Sequence, residues 1–311
     1  AFVVAEELIL SGGSSGLVAA LFTHGIGLPH LVTAGDPALV DRVARPVLAG
    51  ERIVSLAITE PDGGSDVAGI RTRAVVDGDD YVVSGAKLYI TSGTRADFIT
   101  TAVRTGGDGA GGISLLVIDR SAPGVTVSAP LAKMGWLCSD TAEITFDEVR
   151  VPRANLVGAE GSGFLQIVGQ FAAERLSIAV QAYATAQRCL DLSIEWTRQR
   201  ETFGRPLASR QVVAHRLAEM ARDVDVARTY TRSVVDDWQA GDDVLMRVAM
   251  AKNTAVAACD RVVDAAVQLH GGMGYMRECE VERHYRDMRI LGIGGGTTEV
   301  MTDLASRLLG W

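Results

Sequence analysis

Several residue types and motifs are scarce or missing in this chain of 311 residues. It contains three Lys beside 27 Arg, a coding bias that indicates a GC-rich and therefore bacterial genome. Its formal net charge of −8 argues against nucleic acid as the main partner, because a surface that binds phosphates has to be basic. No apolar run approaches about 20 residues, so the sequence predicts no membrane span.

The cysteines and histidines form none of the patterns that disulfides or metals require. Cys138, Cys189, Cys259 and Cys279 lie far apart without a C-x-x-C pair, which favours a reducing compartment, the bacterial cytoplasm. The five histidines form no H-E-x-x-H cluster, so no metal is expected. The sequence starts at Ala1 without a signal-peptide pattern, and we expect an upstream segment to be missing.

The residue composition and hydrophobic periodicity of the chain change twice, which predicts three regions. Residues 1–50 have helical spacing, with Asp36 suited to cap a helix and Pro37 to its first position. Residues 51–160 contain short β-branched runs separated by turns, typical of an antiparallel β-domain. Residues 161–311 contain long helical patterns, typical of a four-helix bundle. Because strands and helices do not alternate, a Rossmann sheet is not expected.

One glycine motif invites a nucleotide-binding interpretation that its context opposes. Gly107, Gly109 and Gly112 spell G-x-G-x-x-G. The dinucleotide motif needs a strand before it and a helix after it, whereas strand-like runs flank this segment on both sides. The sequence therefore predicts a surface hairpin loop here.

Two other segments carry groups that suit a ligand. The turn ITEPDGGSD (58–66) offers hydroxyls, acids and exposed amides, although a purely structural turn explains it about as well. The segment LGIGGGTTEV (291–300) places three glycines beside two threonines and a glutamate, which indicates a nucleotide cradle. The order of these and further segments along the chain decides whether they bind a ligand or are only structural turns.

With GAKLYITSG (85–93) downstream of the first turn, the chain resembles the acyl-CoA dehydrogenase family. The segments KMGWLCSDTAEITFDEVRVPRANLVG, RETFGRPL, QLHGGMGY and YRDMRILGIGGGTTEVM are similar to further family signatures and occur in the family's order. The resemblance covers the whole chain. It implies an α+β fold with a truncated N-terminal helical domain, a middle β-barrel-like domain and a C-terminal four-helix bundle.

The resemblance also implies a cofactor, a reaction and partners. The cofactor is FAD, and an acyl-CoA is oxidised to the trans-2-enoyl-CoA by loss of an α-proton and transfer of a β-hydride to flavin N5. The implied setting is fatty acid β-oxidation, with electron-transfer flavoprotein as acceptor. A homotetramer or dimer would share each FAD site between subunits. The sequence does not determine acyl chain length, branching or a sterol side chain.

The glycine loop lacks the base that many family members carry there. Gly295 occupies that position, and its backbone N–H is the implied donor to the thioester carbonyl. In the long-chain and isovaleryl-CoA dehydrogenase branch the base lies on the first bundle helix, in a pair similar to Glu174–Arg175. Helical periodicity places Glu174 beside Phe171 on an apolar stripe, which should raise its pKa toward that of a general base. The alternative is an exposed ion pair with Arg175.

Family positions imply further contacts. For the flavin ring and phosphates these are Thr59, Ser65, Tyr89 and Thr91, with the Thr91 hydroxyl toward flavin N5. For the adenine half of a neighbour's FAD they are Arg200, Phe203, Gln211, Gln268 and Gly272, and Thr297 and Glu299 close the nucleotide site. For the acyl-CoA they are Ser65, Arg175, Gly295 and Gly296. Relatives often have tryptophan in place of Tyr89, and an acid in place of Ala172. Arg200 also suits a structural role at a helix C-terminus.

Two other functions remain open at this stage. The same fold could serve a flavin monooxygenase or an oxidase of a substrate without CoA. The chain could also be a catalytically silent subunit whose partner supplies the base, although the presence of Glu174 opposes that.

Overall fold

The computed structural model describes residues 1–310 and divides into two compact units. Within the described residues, the helical unit comprises 1–18, 134–136 and 172–310. The sheet unit comprises residues 19–133 and 137–171. The domain boundaries inferred from sequence texture, 1–50, 51–160 and 161–311, stay predictions.

The helices and strands have the following bounds. The helices are α1 (Phe2–Leu10), α2 (Ser15–Leu21), α3 (His24–Gly27), α4 (Pro29–Ala34), α5 (Pro37–Leu39), α6 (Arg45–Leu48), α7 (Gly163–Gln199), α8 (Gln211–Ala240), α9 (Leu245–His270), α10 (Glu280–Met288) and α11 (Thr298–Leu308). The strands are β1 (Val54–Ala57), β2 (Arg73–Asp77), β3 (Asp80–Thr91), β4 (Phe98–Arg104), β5 (Ile113–Asp119), β6 (Val125–Val127), β7 (Thr141–Pro152), β8 (Glu201–Thr202) and β9 (Arg205–Pro206).

The predicted start of a short helix is confirmed. Asp36 is the N-cap of α5, and its Oδ1 accepts a hydrogen bond from the Leu39 N–H at 2.9 Å. Pro37 fills the first helical position, where a missing N–H costs nothing. The chain continues through a π-helical turn, Val40–Ala44, into α6.

The predicted β-domain is present, but its sheet is mixed, so the expectation that its strands are antiparallel is wrong for the pairs that β4 forms with β1 and β2. Its order is β1-β4-β2-β3-β7-β6, with β5 on β4. β1 pairs with β4 in parallel, from Val54 with Phe98 to Ala57 with Thr101, and β2 meets β4 in parallel through Arg73 and Arg104. The remaining pairs are antiparallel. Parallel neighbours are distant in sequence, and strand composition alone does not reveal them.

β4 and β5 form the centre of the sheet unit. All seven side chains of β4 are buried, as are all but the last of β5. One apolar cluster joins these strands to the short helices through Leu31, Val43 and their neighbours. A second cluster, which includes Tyr81, Ile118 and Phe146, joins β3, β5 and β7. Burial on both faces explains why these strands have continuous apolar runs.

The helical unit contains the predicted bundle of α7, α8, α9 and α11. Leu176, Val234 and Val248 belong to one buried cluster that joins α7, α8 and α9. Met301 of α11 packs with Ala249 of α9 in a second cluster. The short helix α10 is an addition that the sequence patterns did not predict.

The G-x-G-x-x-G segment lies in the connection between β4 and β5, as predicted. Gly109 has a φ of +82°, and a short 3₁₀ turn follows at Ala110–Gly112. The Arg104 guanidinium donates to the Gly107 carbonyl at 2.6 Å and ties the loop to β4. A helix N-terminus that could receive a pyrophosphate does not follow this loop, because β5 does.

Within residues 1–310, no single helix is long and apolar enough to cross a membrane. The pair Ser15–Leu21 and His24–Ala34, bent by 58°, meets that criterion only when both are taken together. The criterion uses length and composition alone, and buried core helices also satisfy it.

Candidate active site

In the helical unit, Glu174 of α7 lies beside the glycine loop that precedes α11. A Cβ built on Gly295 would lie 3.6 Å from Glu174 Oε1. Gly295 has a φ of +64° and Gly296 a φ of +95°, a conformation that side chains rarely adopt. The loop therefore brings bare backbone close to the carboxylate.

The surroundings of Glu174 favour its protonated form. Burial raises the pKa of the Glu174 carboxyl above its usual value, and the charges of Arg175 and Lys252 oppose that rise. This is the direction expected from its apolar neighbours. The alternative of an exposed ion pair does not fit, because Arg175 is only 6% exposed and its Nε donates to the Gly295 carbonyl at 3.1 Å.

Ile178 restricts what residue 295 can be. A Cβ at position 295 would lie 2.5 Å from Ile178 Cδ1, far inside van der Waals contact. Ile178 is itself buried and follows Glu174 by one helical turn. A glutamate at position 295 would therefore have to displace this side chain.

Residues after the glycines start α11. Thr297 is the N-cap, and its hydroxyl accepts from the Val300 N–H at 3.3 Å. Glu299 lies exposed in the first turn, where hydrogen bonds from its own amide and from Thr297 hold its pKa below the usual range. The structure thus gives Thr297 a capping role in addition to the nucleotide contact expected of it.

Lys252 is a component of this site that the sequence patterns did not single out. It is fully buried in α9, and its Nζ donates to the carbonyls of Gly294, at 2.6 Å, and Gly296. Burial and the nearby Arg175 charge lower the pKa of Lys252 to about 8, and Glu174 opposes that shift. A lone lysine within the apolar run VAMAKNTAVAAC was the available signal.

In the sheet unit, a bulge in β3 shapes the surface around Tyr89. The register with β7 shifts between Lys87 and Ile90, and Tyr89 takes a φ of +60°. Its ring is 66% exposed, and Thr91 follows, partly buried. Thr59 is half-buried after β1, and its carbonyl accepts from the Leu88 N–H at 2.9 Å. The structure thus brings Thr59 and the bulge together.

A buried ion pair, also missed by the sequence reasoning, fixes the turn around Thr59. Lys87 Nζ donates to Glu60 Oε1 at 2.8 Å and to the Ile58 carbonyl at 3.0 Å. Glu60 also accepts from the Arg71 and Thr72 amides at 2.6 and 2.9 Å. Burial would raise the pKa of Glu60, but Lys87 and these donors hold it below the usual range. Ser65, farther along the turn, is exposed.

The residues expected to reach a neighbour's cofactor lie on the exposed surface of the helical unit. These are Arg200, Phe203, Gln211, Gln268 and Gly272. Phe203 is 97% exposed at the tip of the β8–β9 hairpin, with a φ of +51°. Arg210 lies over its ring at 5.4 Å. Phe203 is thus a large apolar side chain exposed to solvent, on a backbone conformation that side chains rarely adopt.

These surroundings fit a flavin nucleotide. An exposed ring on a bulged strand with a nearby hydroxyl, Tyr89 with Thr91, suits a planar heterocycle that carries hydrogen-bond acceptors. The exposed aromatic and basic groups Phe203 and Arg200 suit an adenosine diphosphate moiety.

Known proteins share this architecture. Residues 55–149 match the model of the acyl-CoA dehydrogenase middle domain, and residues 161–310 match the C-terminal domain. A probable acyl-CoA dehydrogenase of Bacillus subtilis is 36% identical over 306 residues, which cover 98% of this chain and 80% of that protein. A cyclohex-1-ene-1-carbonyl-CoA dehydrogenase of Geobacter metallireducens is 36% identical, covering 99% of this chain and 81% of that protein.

A solved structure extends the comparison to three dimensions. The crystal structure of a probable acyl-CoA dehydrogenase from Mycobacterium abscessus is 65% identical, with a TM-score of 0.98, and covers 99% of this chain and 82% of that one. Sequence and fold agree: the chain belongs to the acyl-CoA dehydrogenase family, whose members are FAD-dependent oxidoreductases.

Proposed function

We propose that this chain catalyses the α,β-dehydrogenation of an acyl-CoA thioester to the trans-2-enoyl-CoA, with Glu174 as the base that removes the α-proton. The observation that carries the proposal is the position of the Glu174 carboxylate, 3.6 Å from where a side chain on Gly295 would begin. A carboxylate is thus present at the loop although the loop itself carries none. FAD, when bound, supplies the acceptor for the β-hydride.

The α-proton goes to a carboxylate oxygen of Glu174. An α-proton of a thioester is weakly acidic, and a base works best when its pKa approaches the working pH. Burial raises the pKa of Glu174 in that direction, and the nearby cations keep the ionised form accessible. Both the position and the environment of Glu174 therefore suit a general base.

The negative charge that develops on the thioester oxygen needs a hydrogen-bond donor. The backbone N–H of Gly295 fills that role in the proposal, because a glycine allows substrate to approach the amide closely. Arg175 holds the Gly295 carbonyl at 3.1 Å and so contributes to the loop's orientation. The other proposed contacts to the acyl-CoA are Arg175 itself, Gly296 and Ser65.

The proposed FAD contacts divide into two groups. Thr59, Tyr89 and Thr91 hold the flavin ring, and the exposed residues around Phe203 hold the adenine half of a neighbour's FAD, which requires a dimer or tetramer. Thr297 and Glu299 complete the nucleotide site. Electron-transfer flavoprotein is the proposed acceptor of the electrons.

A flavin-bleaching experiment with Glu174→Gln tests the base. Purified wild type should bleach anaerobically with at least one member of a panel of straight, branched and cyclic acyl-CoAs. Glu174→Gln should still bind FAD and acyl-CoA but bleach about 10³-fold or more slowly, since proton abstraction is lost. Glu195→Gln is the matched control, because Glu195 is an exposed carboxylate on the same helix. Near-wild-type bleaching by Glu174→Gln would show that the base lies elsewhere.

A further inference from the structure

One of the three lysines of the chain, Lys252, binds the backbone of the glycine loop. Lys252 is fully buried in the first third of α9, and a buried ammonium is costly unless its donors are satisfied. Its Nζ donates to the carbonyls of Gly294, at 2.6 Å, and of Gly296. The lysine therefore makes its contacts with backbone on both sides of Gly295.

These contacts determine the direction of an amide. In a trans peptide the C=O and the following N–H point in opposite directions, and residues 1–310 contain no cis peptide. Because the Gly294 carbonyl points at the Lys252 ammonium, the Gly295 N–H points away from it. The Gly295 carbonyl is held separately by Arg175 at 3.1 Å.

Glycine makes such anchoring necessary. Three consecutive glycines, Gly294 to Gly296, have no side chains that could restrict the backbone by packing. Glycine also has the largest conformational freedom of any residue, so a loop of this kind samples many arrangements without external contacts. Lys252 and Arg175 together bind the three successive carbonyls of Gly294, Gly295 and Gly296 and so restrict the loop to one arrangement.

The charge of Lys252 also acts on Glu174. It lowers the pKa of that carboxyl against the opposing effect of burial, and Glu174 in turn raises the pKa of Lys252. Both groups and Arg175 belong to the same unit, so one cation on α9 influences the base on α7 and the loop before α11.

We propose that Lys252 is a positioning residue, which holds the Gly294–Gly296 backbone so that the Gly295 N–H is directed away from α9, toward the thioester carbonyl of a bound acyl-CoA. The inference rests on the proposed dehydrogenase function for the last step only. The anchoring of the loop stands independently of the reaction.

A series of three variants separates the charge of Lys252 from its hydrogen bonds. Lys252→Arg keeps charge and donors, Lys252→Gln keeps donors alone, and Lys252→Met keeps neither. Arg247→Met is the control, since Arg247 lies on the same helix but contacts Ser233 and Asp237. Each FAD-loaded protein is studied by hydrogen exchange of the segment 291–300 and by the pH profile of acyl-CoA oxidation.

In Lys252→Met, the amide hydrogens of segment 291–300 should exchange roughly tenfold faster than in wild type, because the hydrogen bonds that anchor the loop are lost. Lys252→Gln and Arg247→Met should stay close to wild type in exchange. In the pH profile, Lys252→Met and Lys252→Gln should move the ascending limb to higher pH, since a cation that favours ionised Glu174 is lost, while Lys252→Arg restores it. In Lys252→Met, kcat should fall more than KM rises.

The outcomes distinguish the two proposals. Wild-type exchange of segment 291–300 in Lys252→Met would overturn the positioning role, whatever the activity. If Lys252→Met does not fold, Lys252→Leu, which also lacks the charge and the donors, replaces it in the exchange experiment, and wild-type exchange of segment 291–300 in that variant would overturn the role. Wild type without activity on any acyl-CoA, but with fast loop exchange in Lys252→Met, would overturn the dehydrogenase function and leave the anchoring intact.

Discussion

Ile178 Cδ1 lies 2.5 Å from the position that a Cβ on residue 295 would occupy. The two residues are distant in sequence, and a side chain on residue 295 would have to move the end of the Ile178 side chain. A glutamate at position 295 would meet this methyl group, whereas Glu174, one turn before Ile178 on α7, already has its carboxylate beside the loop.

The first prediction moves the base. In Glu174→Gly/Gly295→Glu, the new carboxylate is displaced by Ile178, and turnover should fall about 10²-fold, as for a misplacement of roughly 1 Å. Adding Ile178→Val removes only the colliding methyl group and should recover about tenfold, at a stability cost of about 1 kcal/mol. Steady-state kinetics with the best acyl-CoA measure both steps. Ile178→Val alone is the control, and failure to improve the double variant would contradict the steric explanation.

The second prediction concerns the pH dependence of kcat/KM. Only ionised Glu174 can accept the α-proton, and burial raises its pKa above the usual value of 4.5. The rate should therefore increase with pH through a midpoint above 4.5, and this limb should be displaced to higher pH in Lys252→Met and Lys252→Gln. A midpoint at the ordinary value of a solvent-exposed glutamate would argue against a buried base.

The third prediction concerns stability in acid. Glu280 of α10 accepts from Arg188 at 2.8 and 2.9 Å and from His284 at 3.1 Å. Burial would raise the pKa of Glu280, but these partners dominate and lower it to about 2. A carboxyl with a lowered pKa in the folded state stabilises the protein above its unfolded pKa, and this contribution disappears as the pH falls from about 4.5 to about 2.

Glu280→Gln tests this linkage. Urea unfolding between pH 2.5 and 7 should show that wild type loses about 1–2 kcal/mol more than the variant over that range, after allowance for partial solvent screening. Glu278→Gln is the control, because Glu278 is exposed in the turn before α10. Parallel pH profiles of wild type and Glu280→Gln would contradict the assignment.

The fourth prediction concerns the thiols. Cys189 and Cys259 are fully buried, and burial raises the pKa of both thiols well above the usual value. Since the thiolate is the reactive form, neither should react with a disulfide reagent at pH 8 in the native protein. Both should react at once in urea, and mass spectrometry of the labelled peptides identifies them. Rapid native labelling of either residue would show that α7 and α9 open readily at these positions.

Local patterns along the chain predicted much of the fold. One of the β-branched runs within residues 51–160, DYVVSGAKLYIT, is β3 over its whole length, and the long helical patterns after residue 160 correspond to α7, α8 and α9. These predictions succeed because side-chain periodicity reflects which face of one element is buried. The parallel pairing of β1 with β4 was not predictable in this way, because the two strands are about 40 residues apart in the chain and their side-chain periodicity does not show which strands pair.

The candidate site shows the same division. Two features point to Glu174: its helical periodicity and, through the family resemblance, a glycine at position 295 where many family members carry the base. The contact of Arg175 with Gly295 spans 120 positions, and that of Lys252 with Gly294 spans 42. No periodicity connects such positions.

The sequence by itself determined the kinds of element, the family resemblance and the candidate base. Only the tertiary structure decided that a side chain at position 295 would collide with Ile178 and that Lys252 holds the carbonyls of Gly294 and Gly296. The physical reason is that periodicity describes one element at a time. Steric exclusion and the compensation of a buried charge depend on atoms that folding brings together from different elements.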